Sequence, residues 1–376
     1  MRKHLMFLPR SLAILVLSAT VFAAPFALGQ QPAPQTAPAA PPQTAPQSTP
    51  PAQTPDQKTT TDQKPNNDQQ PEDQNPITTF KAGVNIVQLF FNVKDKHGAL
   101  IPNLVKDDFE IAEDGKQQTI KYFTAESNLP LTLGILIDAS GSQRNVIDME
   151  KEVGGAFLHQ ILTDKDEAFV ISFDISVDLL QDFTRDVHRL QAALNKAKVN
   201  VDYTSGVPGM GGGPVPQHNS PGTLLYDAVY LSAHDMLAKE VGRKAMVLLT
   251  DGQDEGSKLR IQDAVEAAQK SDSIVYVLLC ADRGFYGSIG GGYSGESEMR
   301  KLTEQTGGRV INVGNKFDKL REAFDQIAAE LRSQYNIGFT PTNTKLDGSY
   351  RKLEIKNKQN YKIQARAGYY AGHSQD

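Results

Sequence analysis

Two apolar stretches of the sequence each end in an aspartate, and hydroxyl residues lie close to both in the expected fold. The stretch "LTLGILID" ends at Asp138, which is followed by Ser140 and Ser142 in the order Asp-Ala-Ser-Gly-Ser. The stretch "KAMVLLTD" ends at Asp251, and Thr223 opens a helical pattern between the two. A buried strand does not need a carboxylate at its end. These five residues are therefore the first candidates for chemistry.

Carboxylates and hydroxyls together form an all-oxygen set of ligands. Such a set suits Mg²⁺, Mn²⁺ or Ca²⁺ better than zinc. A turn that leads into a helix favours anions by itself, because its free N–H groups point at the ligand. The two aspartates reverse that preference, since no Lys or Arg lies between Asp138 and Ser142. The competing interpretation is that both serines only cap the next helix and that Asp138 only makes the end of the strand more soluble.

The region that carries these residues alternates apolar stretches of strand length with amphipathic helical patterns. Strands that are apolar throughout and separated by helices indicate a parallel sheet covered on both faces. We therefore predict an α/β domain over residues 129–334, with a doubly wound, mainly parallel, Rossmann-like sheet. Ligands of such sheets bind beyond the carboxyl ends of the strands, so Asp138 and Asp251 share one crevice if their strands are neighbours.

Both flanks of this domain have strand-like patterns. Residues 77–128 contain an alternating stretch and a hairpin signal at Asp114-Gly115, and residues 335–376 contain three more strand-like stretches. Either the two flanks complete one small β-sandwich around the inserted middle domain, or they form separate β extensions. The sequence is compatible with both arrangements.

The first 76 residues predict export followed by a spacer. Residues 1–29 have a positively charged start and then an apolar stretch of small residues, which is typical of a signal peptide. An uncleaved membrane anchor is the alternative, although Pro25 interrupts the apolar stretch. Residues 30–76 are rich in Pro, Gln and Thr and contain no Leu, Ile, Val, Phe, Tyr or Met, so they predict a disordered linker. We expect a periplasmic, cell-surface or secreted protein; in the alternative case, the uncleaved N-terminus would tether it to a membrane.

Composition and missing motifs argue against several functions. A net charge of -5 and a pI near 5.9 argue against nucleic-acid binding. The single cysteine, Cys280, excludes an intrachain disulfide and a Cys-x-x-Cys motif. The Gly-rich stretches 204–222 and 283–295 match neither the dinucleotide-binding nor the Walker pattern, so no nucleotide is predicted, and their role stays open. No Gly-x-Ser-x-Gly elbow of a serine hydrolase is present.

The candidate residues, in their order, resemble the metal-ion-dependent adhesion site of von Willebrand factor type A (VWA) domains. The resemblance rests on Asp138-x-Ser140-x-Ser142, on Thr223 in "PGTLLYDAV" and on Asp251 in "VLLTDGQDEGS". The order of strands and helices over residues 131–334 agrees with it. The flanks, with "VQLFFNVKDKHGALIPNLVKDDFEIAEDGKQQTI" and "ARAGYY", resemble the secreted bacterial VWFA-related subfamily.

The resemblance implies one divalent cation, Mg²⁺ or else Mn²⁺ or Ca²⁺, and a function in binding rather than catalysis. The implied ligands, direct or through water, are Asp138, Ser140, Ser142, Thr223 and Asp251. Because the inner ligands are mostly neutral, a carboxylate from a protein partner would complete the shell, and the protein would mediate metal-dependent protein–protein interaction or cell adhesion. The long insertion before Thr223 departs from the usual pattern of the family.

Two other functions remain in competition with adhesion. A VWA scaffold within an envelope assembly would use the metal only for stability. A Mg²⁺-dependent phosphatase of the haloacid dehalogenase type would also place an aspartate at the end of its first strand, but its general acid would stand where Ser140 is found. Asp254 and Glu255 follow Asp251 closely, and we predict that they are solvated loop charges.

Overall fold

A computed structural model describes residues 86–126, 129–199, 222–281 and 295–372. The predicted signal peptide and linker, and all of the two Gly-rich stretches except Gly222 and Gly295, lie outside the described residues. Within the described ranges, no helix combines the length and the apolar character that a membrane span requires.

Fourteen strands and six α-helices make up the described structure. The strands are β1 (Val87–Lys94), β2 (Phe109–Glu113), β3 (Lys116–Gln118), β4 (Ile120–Glu126), β5 (Leu131–Asp138), β6 (Glu167–Phe173), β7 (Val177–Thr184), β8 (Arg243–Thr250), β9 (Ser273–Leu279), β10 (Val310–Asn312), β11 (Gln334–Phe339), β12 (Tyr350–Asn357), β13 (Lys362–Ala365) and β14 (Gly368–Tyr370). The helices are α1 (Ile147–Ile161), α2 (Val187–Lys196), α3 (Leu225–Leu231), α4 (Ile261–Lys270), α5 (Gly295–Thr306) and α6 (Phe317–Arg332).

The central sheet has six strands in the order β10-β9-β8-β5-β6-β7. Five of them are parallel, and β7 pairs antiparallel with β6 at one edge. Every residue of β5, β8 and β9 is buried, because helices cover both faces of the sheet. The predicted doubly wound, mainly parallel α/β fold is confirmed.

The alternation of side chains along β5 divides the core into two layers. Ile135 and Ile137 pack with residues of α1, α2 and α6, whereas Leu136 packs with residues of α3, α4 and α5. Successive side chains of a strand point to opposite faces, so an uninterrupted apolar strand fills both layers. This double burial fixes the register of β5 and thereby the position of Asp138 at its end.

Both flanks of the α/β domain contribute strands to two further antiparallel sheets, β13-β1-β11-β4 and β14-β12-β2-β3. Their inner faces share one apolar core, in which the rings of Phe91 and Phe109 meet edge to face at 5.2 Å. Asp114 and Gly115 both have positive φ and form the tight turn between β2 and β3. The chain then changes sheets, because β3 pairs with β2 while β4 pairs with β11.

The candidate site lies where β5, β6 and β8 end. β5 lies between the other two, with Ile137 opposite Leu249 on β8 and Asp138 opposite Phe173 on β6. The carboxyl ends of adjacent parallel strands meet at one edge of the sheet. The loops that follow β5, β6 and β8 therefore share this edge.

Candidate metal centre

Asp138 is held at the end of β5 by hydrogen bonds to both of its carboxylate oxygens. Oδ1 accepts the Ser140 backbone N–H at 2.9 Å, and Oδ2 accepts the Thr250 hydroxyl at 2.6 Å. The Thr250 hydroxyl also accepts the N–H of Gly252 at 3.0 Å. Gly252 has φ +82°, a left-handed conformation that favours glycine and turns the chain sharply after Asp251. The carboxylate is completely buried and has a fixed orientation.

Ser140 and Ser142 connect the two aspartates. The hydroxyl oxygens of the two serines lie 3.0 Å apart, and the Ser142 hydroxyl donates to Asp251 Oδ2 at 2.5 Å. Because the only hydroxyl hydrogen of Ser142 points to Asp251, Ser140 must be the donor in the contact between the serines. Asp251 Oδ1 accepts the Gln253 N–H at 3.0 Å. The result is a directed chain of hydrogen bonds from Ser140 through Ser142 to Asp251.

The hydroxyl of Ser140 does not cap the helical turn that it precedes. A short 3₁₀ turn, Gly141–Asn145, follows Ser140 and leads into α1, and no side-chain cap hydrogen bond is present at either start. The capping interpretation of the two serines is therefore not supported by the geometry. Their hydroxyls point into the crevice between Asp138 and Asp251.

Thr223 is joined to this region through its backbone. Its N–H donates to Glu255 O at 2.9 Å and its C=O accepts the Glu255 N–H at 3.0 Å, which attaches it to the loop that follows Asp251. The next residue, Leu224, donates its N–H to Asp174 O in the loop after β6. Thr223 is buried and thus lies between the loops that follow β6 and β8. We call Asp138, Ser140, Ser142, Thr223 and Asp251 the metal crevice.

The metal crevice has an excess of buried acid groups. Burial, together with the nearby charge of Asp251, raises the pKa of Asp138 to about 7. Burial also raises the pKa of Glu150 on α1 to about 8, and the charges of Asp138 and Asp251 add to this shift. No salt bridge to Asp138 or Glu150 is formed within the described ranges. A proton or a cation is needed to offset this negative charge.

Three residues that support the crevice were missed by the sequence analysis: Thr250, Glu150 and Cys280. Thr250 is the only hydroxyl residue of β8, next to Asp251, and this placement was the available signal. Glu150 lies on the buried face of α1 with Val153 and Phe157, and its carboxyl oxygens have no partner of hydrogen-bond geometry in the described structure. The buried Cys280 thiol faces Glu150, and burial raises its pKa well above the usual value.

The neighbouring acidic residues have different roles. Asp254 was predicted to be a solvated loop charge, and this is wrong: its Oδ1 accepts the N–H of Tyr226 at 3.1 Å and the hydroxyl of Ser257 at 2.5 Å. It therefore positions the first turn of α3 against the loop after β8. Glu255 is exposed, as predicted.

The chemistry of the donor set fits a hard divalent cation. In the part of the chain that the structure describes, no three His, Cys, Asp or Glu side chains group together as a metal site. A cation at this edge would therefore depend on the hydroxyl oxygens as well as on the two aspartates. Oxygen-only sets of this kind suit Mg²⁺, Mn²⁺ and Ca²⁺.

No protein-family model and no curated protein matches the sequence. Among solved structures, the chain is similar to the conserved hypothetical protein BatB from Bacteroides thetaiotaomicron, with 16% identity and a TM-score of 0.37 over 53% of this chain and 98% of that one. It is similar to proximal thread matrix protein 1 from the mussel byssus, in a form with a zinc-occupied adhesion-site motif, with 14% identity and a TM-score of 0.42 over 57% of this chain and 48% of that one. It is also similar to a von Willebrand factor type A protein from Catenulispora acidiphila, with 13% identity and a TM-score of 0.40 over 79% of this chain and 76% of that one. These TM-scores are below 0.5, so the similarities carry no conclusion about function.

Proposed function

We propose that residues 129–334 form a VWA domain whose metal crevice binds one divalent cation and, through it, an acidic group of a protein partner. The observation that carries this proposal is the hydrogen-bonded chain from Ser140 through Ser142 to Asp251, beside the buried carboxylate of Asp138. The sequence resemblance and the adjacency of β5 and β8 support it independently.

The hydrogen bonds leave lone pairs available for a cation. Ser142 Oγ accepts one hydrogen bond and donates one, so it keeps one lone pair, and Ser140 Oγ keeps two. The Thr250 hydroxyl and the Ser140 backbone N–H hold Asp138 in place. When bound, the cation would supply the positive charge that attracts a carboxylate of the partner. The neutral hydroxyls would leave that charge only partly offset.

The biological setting follows from the N-terminal sequence. We propose that the signal peptide directs export and that the protein acts in the periplasm, at the cell surface or outside the cell, in adhesion or in assembly with another protein. Mg²⁺ is our first choice of cation, because it prefers hard oxygen ligands. No catalytic role is proposed, because Ser140 stands where a phosphatase of the haloacid dehalogenase type would need its second aspartate.

Calorimetric titration of the full chain with Mn²⁺ and with Mg²⁺ tests the metal site. We expect one ion per chain, and we expect Ser140→Ala and Asp251→Ala each to weaken binding at least about tenfold, which is ~1.4 kcal/mol. Asp325→Ala, which removes an exposed aspartate from α6, is the matched control and should bind as the parent does. Equal affinities in all four proteins would contradict the site assignment.

A second measurement separates partner binding from a purely structural ion. Water-proton relaxation of the Mn²⁺-loaded chain reports whether a coordination position remains open to exchangeable ligands. We expect a strong relaxation enhancement that falls when a glutamate-containing peptide is added, and a smaller fall with the matched glutamine peptide. A bound ion without exchangeable water, unaffected by either peptide, would favour the scaffold function instead.

A further inference from the structure

Two histidines from neighbouring helices meet on the surface of the α/β domain. His159 lies near the end of α1 and His188 in the first turn of α2, and their ring centroids are 5.7 Å apart with the ring planes at 75°. Both residues are exposed. We call them the histidine pair. The pair is separate from the metal crevice, because His159 lies about three turns along α1 from the end that adjoins the crevice.

Close packing of α1 against α2 brings the two rings together. The side chain of Leu194 would lie 3.6 Å from a Cβ atom at Gly154, and the side chain of Gln191 occupies the place that a Cβ atom at Gly155 would take. The two glycines therefore let the helices approach closely. One turn beyond Gly155 on α1, and one turn before Gln191 on α2, the same seam ends in the histidine pair. The packed helices thus hold both imidazoles within reach of one ion.

The imidazole nitrogens of the histidine pair are not used by the protein. Within the described ranges, neither ring takes part in a hydrogen bond or an ion pair. His234 is different, because its Nδ1 lies 2.7 Å from Asp235 Oδ1 and its ring stacks on Tyr230. Since both members of the pair are exposed, an ion from solvent can reach their rings directly, and no protein group has to be displaced first.

The spacing of the two rings fits one metal ion shared between them. Neutral imidazole is a ligand of Zn²⁺, Ni²⁺ and Cu²⁺. Two imidazoles on one tetrahedral ion, with metal–nitrogen bonds of about 2.0–2.1 Å, have ring centroids roughly 5–6 Å apart. The observed 5.7 Å lies in this range. In the described structure no third His, Cys, Asp or Glu side chain joins the two, so water would complete the coordination shell.

We propose that the histidine pair binds one transition-metal ion, Zn²⁺, Ni²⁺ or Cu²⁺, at a site independent of the metal crevice. One nitrogen of each ring donates its lone pair to the ion, and water fills the other positions. Because His159 and His188 belong to different helices, the bound ion links α1 to α2. The unfolded chain does not hold the two rings together, so the ion binds the folded protein more tightly and stabilises it.

The test is a calorimetric titration of the full chain with Zn²⁺ and with Ni²⁺. Mg²⁺ is kept in excess, because it competes for the oxygen ligands of the metal crevice but not for imidazole nitrogen. Spectra of ¹H–¹⁵N pairs in chain labelled at histidine identify the ligands of Zn²⁺. We expect the ring signals of two of the seven histidines to shift together. Shifts at other histidines instead, or no binding below about 1 mM of either ion, would overturn the proposal.

Two variants assign these effects to the histidine pair. His159→Asn and His188→Asn each remove one ligand and one of the two shifted ring signals, and we expect each to weaken Zn²⁺ binding at least about tenfold. Zn²⁺ should raise the midpoint of urea denaturation of the parent but not of either variant. His234→Asn, at an exposed histidine outside the pair, is the matched control and should behave as the parent does. Parent-like Zn²⁺ affinity in either variant of the pair, or an equal loss in the control, would contradict the assignment.

Discussion

The metal crevice and the β-sandwich formed by the two antiparallel sheets both contain buried charged groups, but the protein balances those charges differently. In the metal crevice, the carboxylate of Asp138 receives hydrogen bonds from neutral donors, and no cationic side chain forms a salt bridge to it within the described ranges. In the β-sandwich, Arg351 forms a buried ion pair with Glu113. Within the described ranges, the crevice carboxylate of Asp138 therefore lacks a cationic partner, whereas the sandwich carboxylate of Glu113 has one.

This difference determines which measurable property should depend on the buried charges of each region. Adding a cation to the metal crevice offsets two buried carboxylates and competes with a proton, so binding should be strong and depend on pH. The paired charges of the β-sandwich need no added ion, so their effect should be seen in the stability of the fold and not in ligand binding. The four predictions that follow test this contrast, from the largest expected effect to the smallest.

The largest effect should come from the buried ion pair of the sandwich. Glu113→Ala removes an acceptor of both Arg351 and the Tyr369 hydroxyl, and it leaves the buried guanidinium with backbone carbonyls and the part-exposed Asp347 carboxylate at 3.7 Å as its partners. We expect the free energy of unfolding to fall by about 3–5 kcal/mol, measured by urea denaturation. Glu354→Ala is the matched control on β12, because its ion pair with Lys352 is exposed, and we expect no measurable change. Similar losses in both variants would show that Arg351 is not a compensated buried cation.

The second effect is the pH dependence of metal binding. Asp138 has a pKa of about 7, and it must lose its proton before its carboxylate can stabilise the bound cation. We therefore expect the affinity for Mn²⁺ to rise about 100-fold between pH 5 and pH 8, at up to tenfold per unit below the pKa, and to level off above it. Calorimetry in two buffers of different ionisation enthalpy should show protons released at pH 6 and few at pH 8. Constant affinity across this range would mean that the crevice is already ionised without metal.

The third effect concerns the stability of the metal-free protein. The folded-state pKa of Glu150, about 8, lies above the ordinary value of 4.5 for a glutamate, so the folded state holds the proton more tightly than the unfolded state. Stability from this group is therefore complete below pH 4.5 and is lost as the pH rises through about 8. We expect the metal-free chain to melt at a lower temperature at pH 9 than at pH 6. Glu150→Gln, which cannot ionise, should reduce this difference and stabilise the protein at pH 9 by on the order of 1–2 kcal/mol.

The fold of the α/β domain and four members of the metal crevice followed from local patterns. Asp138 and Asp251 each end a strand that is apolar throughout, and such strands are adjacent and parallel in doubly wound sheets. Ser140 and Ser142 follow within one turn, so their position depends on few degrees of freedom. Thr223 is different, because a long insertion precedes it in the sequence. Its place beside Glu255 became visible only in the structure.

The buried ion pair of the β-sandwich could not be predicted, because its partners are distant in sequence. Arg351 and Glu113 are 238 residues apart and belong to strands from opposite flanks. One signal was present: in "YRKLEIKN", Arg351 alternates with Leu353 and Ile355, which places the arginine on the inner face of its strand. The pattern shows that the arginine is buried but not what it contacts. The change of sheet between β3 and β4 likewise depends on which strand each one pairs with, and no local pattern specifies this.

The smallest effect tests how much the neutral donors of the metal crevice matter. The Thr250 hydroxyl donates to Asp138 Oδ2 at 2.6 Å and so stabilises the ionised carboxylate that the cation needs. Thr250→Val keeps the shape of the side chain but removes this donor, and we expect metal affinity to fall by three- to tenfold, or about 1 kcal/mol. In this variant, the proton release that accompanies metal binding should also extend to higher pH. The reason is that the pKa of Asp138 rises when a donor to its charged form is lost. Thr132→Val, at the opposite end of β5, is the control. If Thr250→Val binds metal as the parent does, then the cation alone, without help from neutral donors, compensates the buried charge of Asp138.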